Sequence, residues 1–460
     1  MKKLLLILLC LPVLGFGQNP NYSEDIAPII YGKCLQCHYD GGIAPLTLET
    51  YTSVVYNAGM VQHVTSNGEM PPWPADTLFQ NYANENVLSM NEISTIIDWI
   101  TNGVPLGDTS LLPPMPIFGS SSQLGVPDLE LQMPTYSSTA TASTDDYVCF
   151  SIPSGLSQNR RIKAIEVIPG NLQTVHHVLV SLDPFPNSSI VTTADCMGPQ
   201  GDMLYSYAPG ALPLTYTENT NNSFGVVLPA NSSVSFAMHY PEGSLGQIDS
   251  TKVKFYFYPQ TTLIREISYD FLINEGLFGA PFYLPPNQIT EITGSFGPTS
   301  QDYSFMSVFP HMHLLGKDMV IYAVTPLNDT INLIKINKWD FEWQYSYFFE
   351  KFIKIPVGSM IYAKGNYENL GPDTVISGFN TQQEMFIGGF QYLPYQLGDE
   401  NISIDNGLIS SNFNNVVTTP SSRELLNIIN SLGQSTTPKS NIPLFYIYND
   451  GTVEKKIVIE

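Results

Sequence analysis

From about Leu129 onward, short apolar runs rich in Val, Ile, Phe and Tyr alternate with polar residues and are broken by Gly, Pro, Asn and Ser. Successive side chains of a strand point to opposite faces, so this pattern predicts half-buried strands and an all-β body. The chain before it has a different period. Ser23–Cys34 and Leu48–Gly59 read as short helices, and Ser89–Asn102 is a clear one. There Ser89 and Glu92 form a capping box, and Ile93, Ile96, Ile97 and Ile100 make a stripe at helical spacing. Gly103 and Pro105 stop that helix. Near the C-terminus, Arg423–Leu432 reads as a short helix. Pro443–Glu460 reads as a hairpin turning at Asn449-Asp450-Gly451.

The first residues and the bulk composition narrow the setting. Met1-Lys2-Lys3, the apolar run Leu4–Leu14 and the small residues before Gln18 predict a signal peptide over 1–18. A lipoprotein signal on Cys10 is the rival reading. No later segment is long and apolar enough for a transmembrane helix, so an exported protein of the periplasm, cell surface or extracellular space is expected. Net charge is −22 with only 19 Lys and Arg, which argues against nucleic acid and anionic membrane as partners. The expected organisation is a small all-α domain over 19–107 and a Pro- and Ser-rich linker over 108–127. All-β antiparallel sandwich domains over 128–262 and 263–395 follow, then a tail with short β structure over 396–460.

Histidine is sparse and clustered. Of seven in the chain, five are His176, His177, His239, His311 and His313. In a strand, His311 and His313 share a face and present two imidazoles to one volume. His176 and His177 would face opposite ways, so they can share a metal only at a strand end or bulge. An isolated HxH is more often a hydrogen-bonded pair than a metal site. The clustering of five histidines in strand-like segments favours metal.

In the helical region, Cys34-Leu35-Gln36-Cys37-His38 is the C-x-x-C-H motif for covalent haem c, with His38 placed to ligate iron. A zinc site wants a second Cys/His pair at suitable spacing. A thioredoxin-like pair needs a βαβ context, and a plain disulfide leaves His38 unexplained. Met70, framed by Pro71 and Pro72, is the expected sixth ligand, with His63 as the rival and a core role as the plain reading.

Residues 19–107 resemble a small class I cytochrome c, matching at Cys34, Cys37, His38 and Met70. The order His176-His177, His239, His311-Met312-His313 and Met385 resembles the copper type II ascorbate-dependent monooxygenases, the family of peptidylglycine α-hydroxylating and dopamine β-monooxygenases. That resemblance covers about Leu129 to Tyr392. It implies two jelly-roll-like sandwiches. It also implies an electron-transfer copper on His176, His177 and His239, and a dioxygen-binding copper on His311, His313 and Met385. A disulfide between Cys149 and Cys196 follows from the same resemblance. A thioether on the second copper suits Cu(I) and disfavours zinc.

Two positions depart from the family. An Arg that binds the substrate carboxylate is replaced by Phe309, and a peptide-contacting Tyr by Gly389. A small, apolar substrate is therefore expected. Phe341, Trp343 and Tyr345 either line its pocket or belong to the core. The tail resembles type IX secretion sorting segments, with an edge hairpin as the plain alternative. Together these readings imply a haem–copper monooxygenase that hydroxylates a C–H bond with dioxygen. Its electrons would come from the haem and ultimately from an ascorbate-like reductant or a redox partner protein. The alternatives are a non-catalytic secreted redox or copper-binding protein and a peroxidase-like haem–copper activity. An enzyme needs an open position on the Met385 copper facing a cleft.

Overall fold

A computed structural model describes residues 19–116, 122–183, 191–192, 196, 201–218, 222–273, 282–404, 425–429, 436–437, 443–448 and 453–457. The signal segment and the turn at 449–451 lie outside them. The chain falls into two compact units, Met1–Leu408 and Ile409–Glu460.

The first unit is mostly β. Its first sandwich pairs two antiparallel sheets. One is built on Asp146–Pro153, Ser233–Tyr240, His177–Asp183 and Met203–Tyr207; the other on Leu129–Gln132, Lys252–Phe257, Arg160–Ile168 and Phe224–Leu228. The second sandwich sets Ser268–Ile273, Ile387–Pro394, Tyr303–His311 and Tyr347–Ile355 against Gln288–Phe296, Met360–Asn369, Gly316–Val324 and Thr330–Ile336. One hydrophobic core runs through both.

Strand period decides what faces what. Along Ser233–Tyr240, Val234, Phe236, Met238 and Tyr240 enter the core. Burying each such side chain contributes about 1.5–3 kcal/mol. Ala237 and His239 take the other face. There Ala237 lies opposite Cys149 and packs on the Cys149–Cys196 disulfide, whose Cα atoms are 5.5 Å apart. Two residues on, the same face carries His239, opposite His177 and Tyr147.

One short strand lies at the junction of the two sandwiches. Arg265–Glu266 still pairs with Phe224–Gly225 of the first sandwich. Just past 395 the chain stays packed on the second sandwich. Asp399 is buried and accepts from both Arg265 Nη1 and Nη2, at 2.5 and 2.8 Å, and from Ser304 Oγ at 2.6 Å.

Among the described residues, the α- and π-helices lie in 19–111: the π-helical turn Tyr22–Ile26, then Ala27–Lys33, Tyr51–Tyr56, Ala58–Ser66 and Met90–Thr101, followed by a 3₁₀ turn at Thr109–Leu111. They share a core of their own around Tyr22, Ile30, Ile96 and Trp99. Ser89 and Glu92 form the capping box. The expectation of a free-standing all-α cytochrome c domain is nevertheless corrected. Between helices, Ala75 and Tyr82 bridge to Ile336 and Phe349 of the second sandwich, and Tyr82 Oη donates to Leu333 O at 3.0 Å. Backbone groups of this extended stretch find their partners on a neighbouring sheet edge, which ties the helical region into the β unit.

The second unit carries a three-stranded antiparallel sheet of Leu425–Ile429, Pro443–Tyr448 and Val453–Ile457. The helix expected over 423–432 is thus a strand at Leu425–Ile429. Its apolar residues pair with Phe445–Tyr448, and strand pairing overrides the local helical pattern.

The disulfide closes a span of 47 residues beside the histidine face. Replacing both Cys149 and Cys196 by Ser should lower unfolding free energy by about 2–4 kcal/mol, measured by denaturant melts. Peptide mass mapping of exported protein should find the pair joined.

Candidate metal and redox centre

His177 is the first residue of its strand and His176 lies just outside it, with His176 N–H donating to His239 O at 3.0 Å. The strand end lets two adjacent imidazoles turn inward. The Nδ1 atoms of His176 and His177 are 3.2 Å apart, and those of His239 and His177 3.3 Å. One nitrogen from each residue lies within 4.8 Å of the other two. Three ring nitrogens crowded on one point repel if all carry lone pairs and collide if all carry protons. A metal cation held by the three lone pairs relieves the crowding.

Behind His239, the Tyr147 ring stacks at 4.3 Å and 8°. His239 Nε2 lies 3.3 Å from Asp145 Oδ1, off the line a hydrogen bond needs. Burial would raise the Asp145 carboxyl, but His239, Thr381 and the Glu242 N–H outweigh it and hold it down at about 2. Tyr147 Oη meets Thr381 Oγ1 at 3.3 Å, linking the first sandwich to the loop that carries Met385.

His311 ends its strand opposite Ile387, which places Met385 two residues before that partner. Phe271, Phe309, His311 and Ile387 occupy one face of this sheet and line one cavity with His313 and Met385. His313 Nδ1 is 2.9 Å from Gln383 O. A carbonyl only accepts, so Nδ1 carries the proton and Nε2 keeps its lone pair. His311 Nδ1 is buried without a partner. Burial is the main force on all four imidazoles. It lowers His176 and His311 to about 3, His313 to about 4 and His177 well below its usual value.

Sequence reasoning did not single out Glu384. It is fully buried, and its carboxylate accepts from His313 N at 2.9 Å and Leu315 N at 2.5 Å. Burial pushes its carboxyl up to about 7. Thus the residue beside Met385 holds the backbone of the His313 turn. A charged residue next to a candidate ligand was the one available signal, and it did not reveal burial.

The haem motif opens on the same cavity, of about 1620 Å³. Cys34 and Cys37 are free thiols, and burial raises them to about 12 and about 11. His38 Nδ1 lies 3.0 Å from Leu46 O, so Nε2 again keeps the lone pair. Met70 lines the cavity, along with apolar Ile43, Leu46 and Val64. The rival His63 is exposed on Ala58–Ser66, outside the cavity, beside Asn67. Two thiols, one imidazole nitrogen and an apolar chamber suit a covalent haem. The converged nitrogens suit copper.

Phe309 stacks on His311 at 5.9 Å, and a side chain on Gly389 would meet Tyr269 Oη at 2.6 Å. Among the described residues lining the cavity, Lys33 is the only lysine or arginine, and it sits beside Cys34.

Residues 282–403 match the family model of the copper type II ascorbate-dependent monooxygenase, C-terminal domain. That match supports an oxidoreductase of the copper monooxygenase class and fits dependence on copper and ascorbate. No curated protein matches the chain. Among solved structures, that of the infectious bursal disease virus Gx strain is 8% identical with TM-score 0.19, covering 60% of this chain and 74% of that one. Oxalate decarboxylase from Bacillus subtilis is 8% identical with TM-score 0.12, covering 62% and 79%. TM-scores this low bring no fold assignment with them.

These lowered imidazole values predict a pH dependence for the metal-free protein. An unfolded His takes a proton near pH 6.5, whereas these stay neutral in the folded state. The unfolded state then binds more protons as pH falls, so stability is full above about pH 6.5 and declines towards pH 4. Urea melts of copper-free protein across that range should show it. A flat profile would contradict the burial of these rings.

Proposed function

We propose that this chain is an exported haem–copper monooxygenase that hydroxylates a C–H bond of a small, apolar substrate with dioxygen. The observation that carries the reading is the single cavity onto which Cys34, Cys37, His38, Met70 and both histidine sets open. In this reading His176, His177 and His239 hold one copper, and His311, His313 and Met385 the other. Cys34 and Cys37 would attach haem c, and His38 and Met70 would ligate its iron. When bound, these groups supply the one-electron steps that dioxygen-dependent hydroxylation requires.

The chain's own residues do the rest. Gln383 O and Leu46 O fix the tautomers of His313 and His38, so each presents Nε2. Glu384 holds the His313 turn in place. Phe271, Phe309 and Ile387 form an apolar wall beside His311, with no fixed cation there for a substrate carboxylate. That arrangement favours a neutral organic substrate over a peptide C-terminus. Electrons would enter at the haem from an ascorbate-like reductant or a redox partner protein. The disulfide fits an oxidising compartment, the periplasm, cell surface or extracellular space.

Protein matured with a cytochrome c assembly system should hold one haem that resists acid acetone, and two coppers. Met385→Ala should keep the haem and the His176/His177/His239 copper. Hydroxylation should fall by at least the about 10–100-fold that loss of an outer-shell partner costs at a metal site. X-ray absorption of the reduced protein should show sulfur on copper in the parent and none in the variant. The same sulfur in both, or none in either, would remove Met385 from the site.

A further inference from the structure

One loop touches every centre assigned above. Trp339–Tyr345 connects Thr330–Ile336 to Tyr347–Ile355 and enters the cavity. Trp339 Nε1 donates to His313 O at 3.1 Å. The Phe341 ring stacks on His176 at 5.5 Å and meets His313 edge-on at 5.9 Å, so one ring bridges the two histidine sets. Two residues on, Trp343 stacks on Tyr345 at 6.3 Å.

Tyr345 lies close to the haem motif. It stacks on Trp73 at 6.4 Å, three residues after Met70. A side chain on Gly210 would meet Cys37 Sγ at 2.9 Å and Tyr345 Oη at 3.6 Å, so sulfur and phenol flank one point. Gly210 has φ +82, a conformation that favours glycine and lets this loop approach Cys37 closely.

An aromatic stripe at alternate positions is ordinarily core. Here Phe341, Trp343 and Tyr345 are each only half-buried and line the cavity wall. Of the three, Tyr345 also packs against the hydrophobic core.

We propose that Tyr345, Trp343 and Phe341 form the electron relay from the Cys34/Cys37 haem site to the histidine clusters, with Phe341 serving both copper sites. The proposal rests on the haem–copper reading above. Each transfer moves one electron: iron(II) becomes iron(III) as copper(II) becomes copper(I), and no bond or proton changes hands. Overlapping rings and two residues of backbone replace a gap through open solvent, across which transfer is slower.

The test uses ferrous, copper-free protein mixed anaerobically with copper(II), at concentrations where the rate no longer depends on copper. Loss of the reduced-haem absorbance then reports transfer within the molecule. Parent protein and Trp343→Phe should react at similar rates. Trp343→Leu should slow by about tenfold or more, about 1.4 kcal/mol of barrier. Haem content, copper affinity and thermal melting should stay at parent values, which a merely structural role for Trp343 would not allow. If the leucine variant fails to fold, Trp343→Gln carries the same comparison. Transfer at the parent rate in the variant that folds would overturn the relay and leave the haem–copper assignment standing. A parent that takes up no covalent haem or no copper would overturn that assignment, and the relay with it.

Discussion

Two imidazole nitrogens, of His176 and His239, brought to within 3.2–3.3 Å of a third, that of His177, are the constraint around which the first sandwich is arranged. Such a cluster is costly to form, because burial disfavours the charged forms of His176 and His177. It persists because surrounding structure fixes each ring separately. His239 sits mid-sheet between Tyr147 and His177, and its even-numbered strand neighbours are locked in the core. His177 opens a strand, and His176 is tied by its backbone to His239 O. The energy of the core is what maintains a site that opposes folding locally.

The second histidine set uses a different device. His311 is held by strand register opposite Ile387, but His313 lies past the strand end and needs other support. Glu384 and Gln383 supply it from the far loop, by accepting from the backbone and ring of His313. Tyr147 and Thr381 carry the coupling onward, so the loop that positions Met385 touches the shell of the first site. The two sites therefore form one mechanical assembly across the sandwich boundary.

What the sequence made legible was whatever depends on local period or fixed spacing. Strand alternation after Leu129, the Ser89–Glu92 capping box and the His176-His177 need for a strand end all reflect chain geometry, and each has its counterpart in the structure. Burial of Glu384 and the roles of Asp145 and Thr381 were not legible, because each depends on residues distant in sequence. The same limit explains Leu425–Ile429. Its spacing allowed a helix, and only the neighbouring strand Pro443–Tyr448 decides otherwise. Nor could helical periodicity in 19–107 show that Ala75 and Tyr82 dock on the second sandwich.

That docking bears on how the cavity works. Had the helical region been tethered only through its linker, the separation of Cys37 from the histidines would be set by a flexible chain and would vary widely. Instead Tyr82, Gln80 and Asn84 bond to backbone carbonyls of the second sandwich, at Leu333, Asn332 and Ser346. These contacts flank the loop Trp339–Tyr345 on its sequence-near strands. They hold Trp73 against Tyr345 and keep the haem motif on the cavity wall. The departure from a free-standing helical domain is thus what gives the C-x-x-C-H motif and the two histidine sets a fixed common geometry. Each docking hydrogen bond contributes only about 0.5–1.5 kcal/mol, so it is their number, together with the Trp73, Tyr82 and Tyr347 ring cluster, that makes the arrangement rigid.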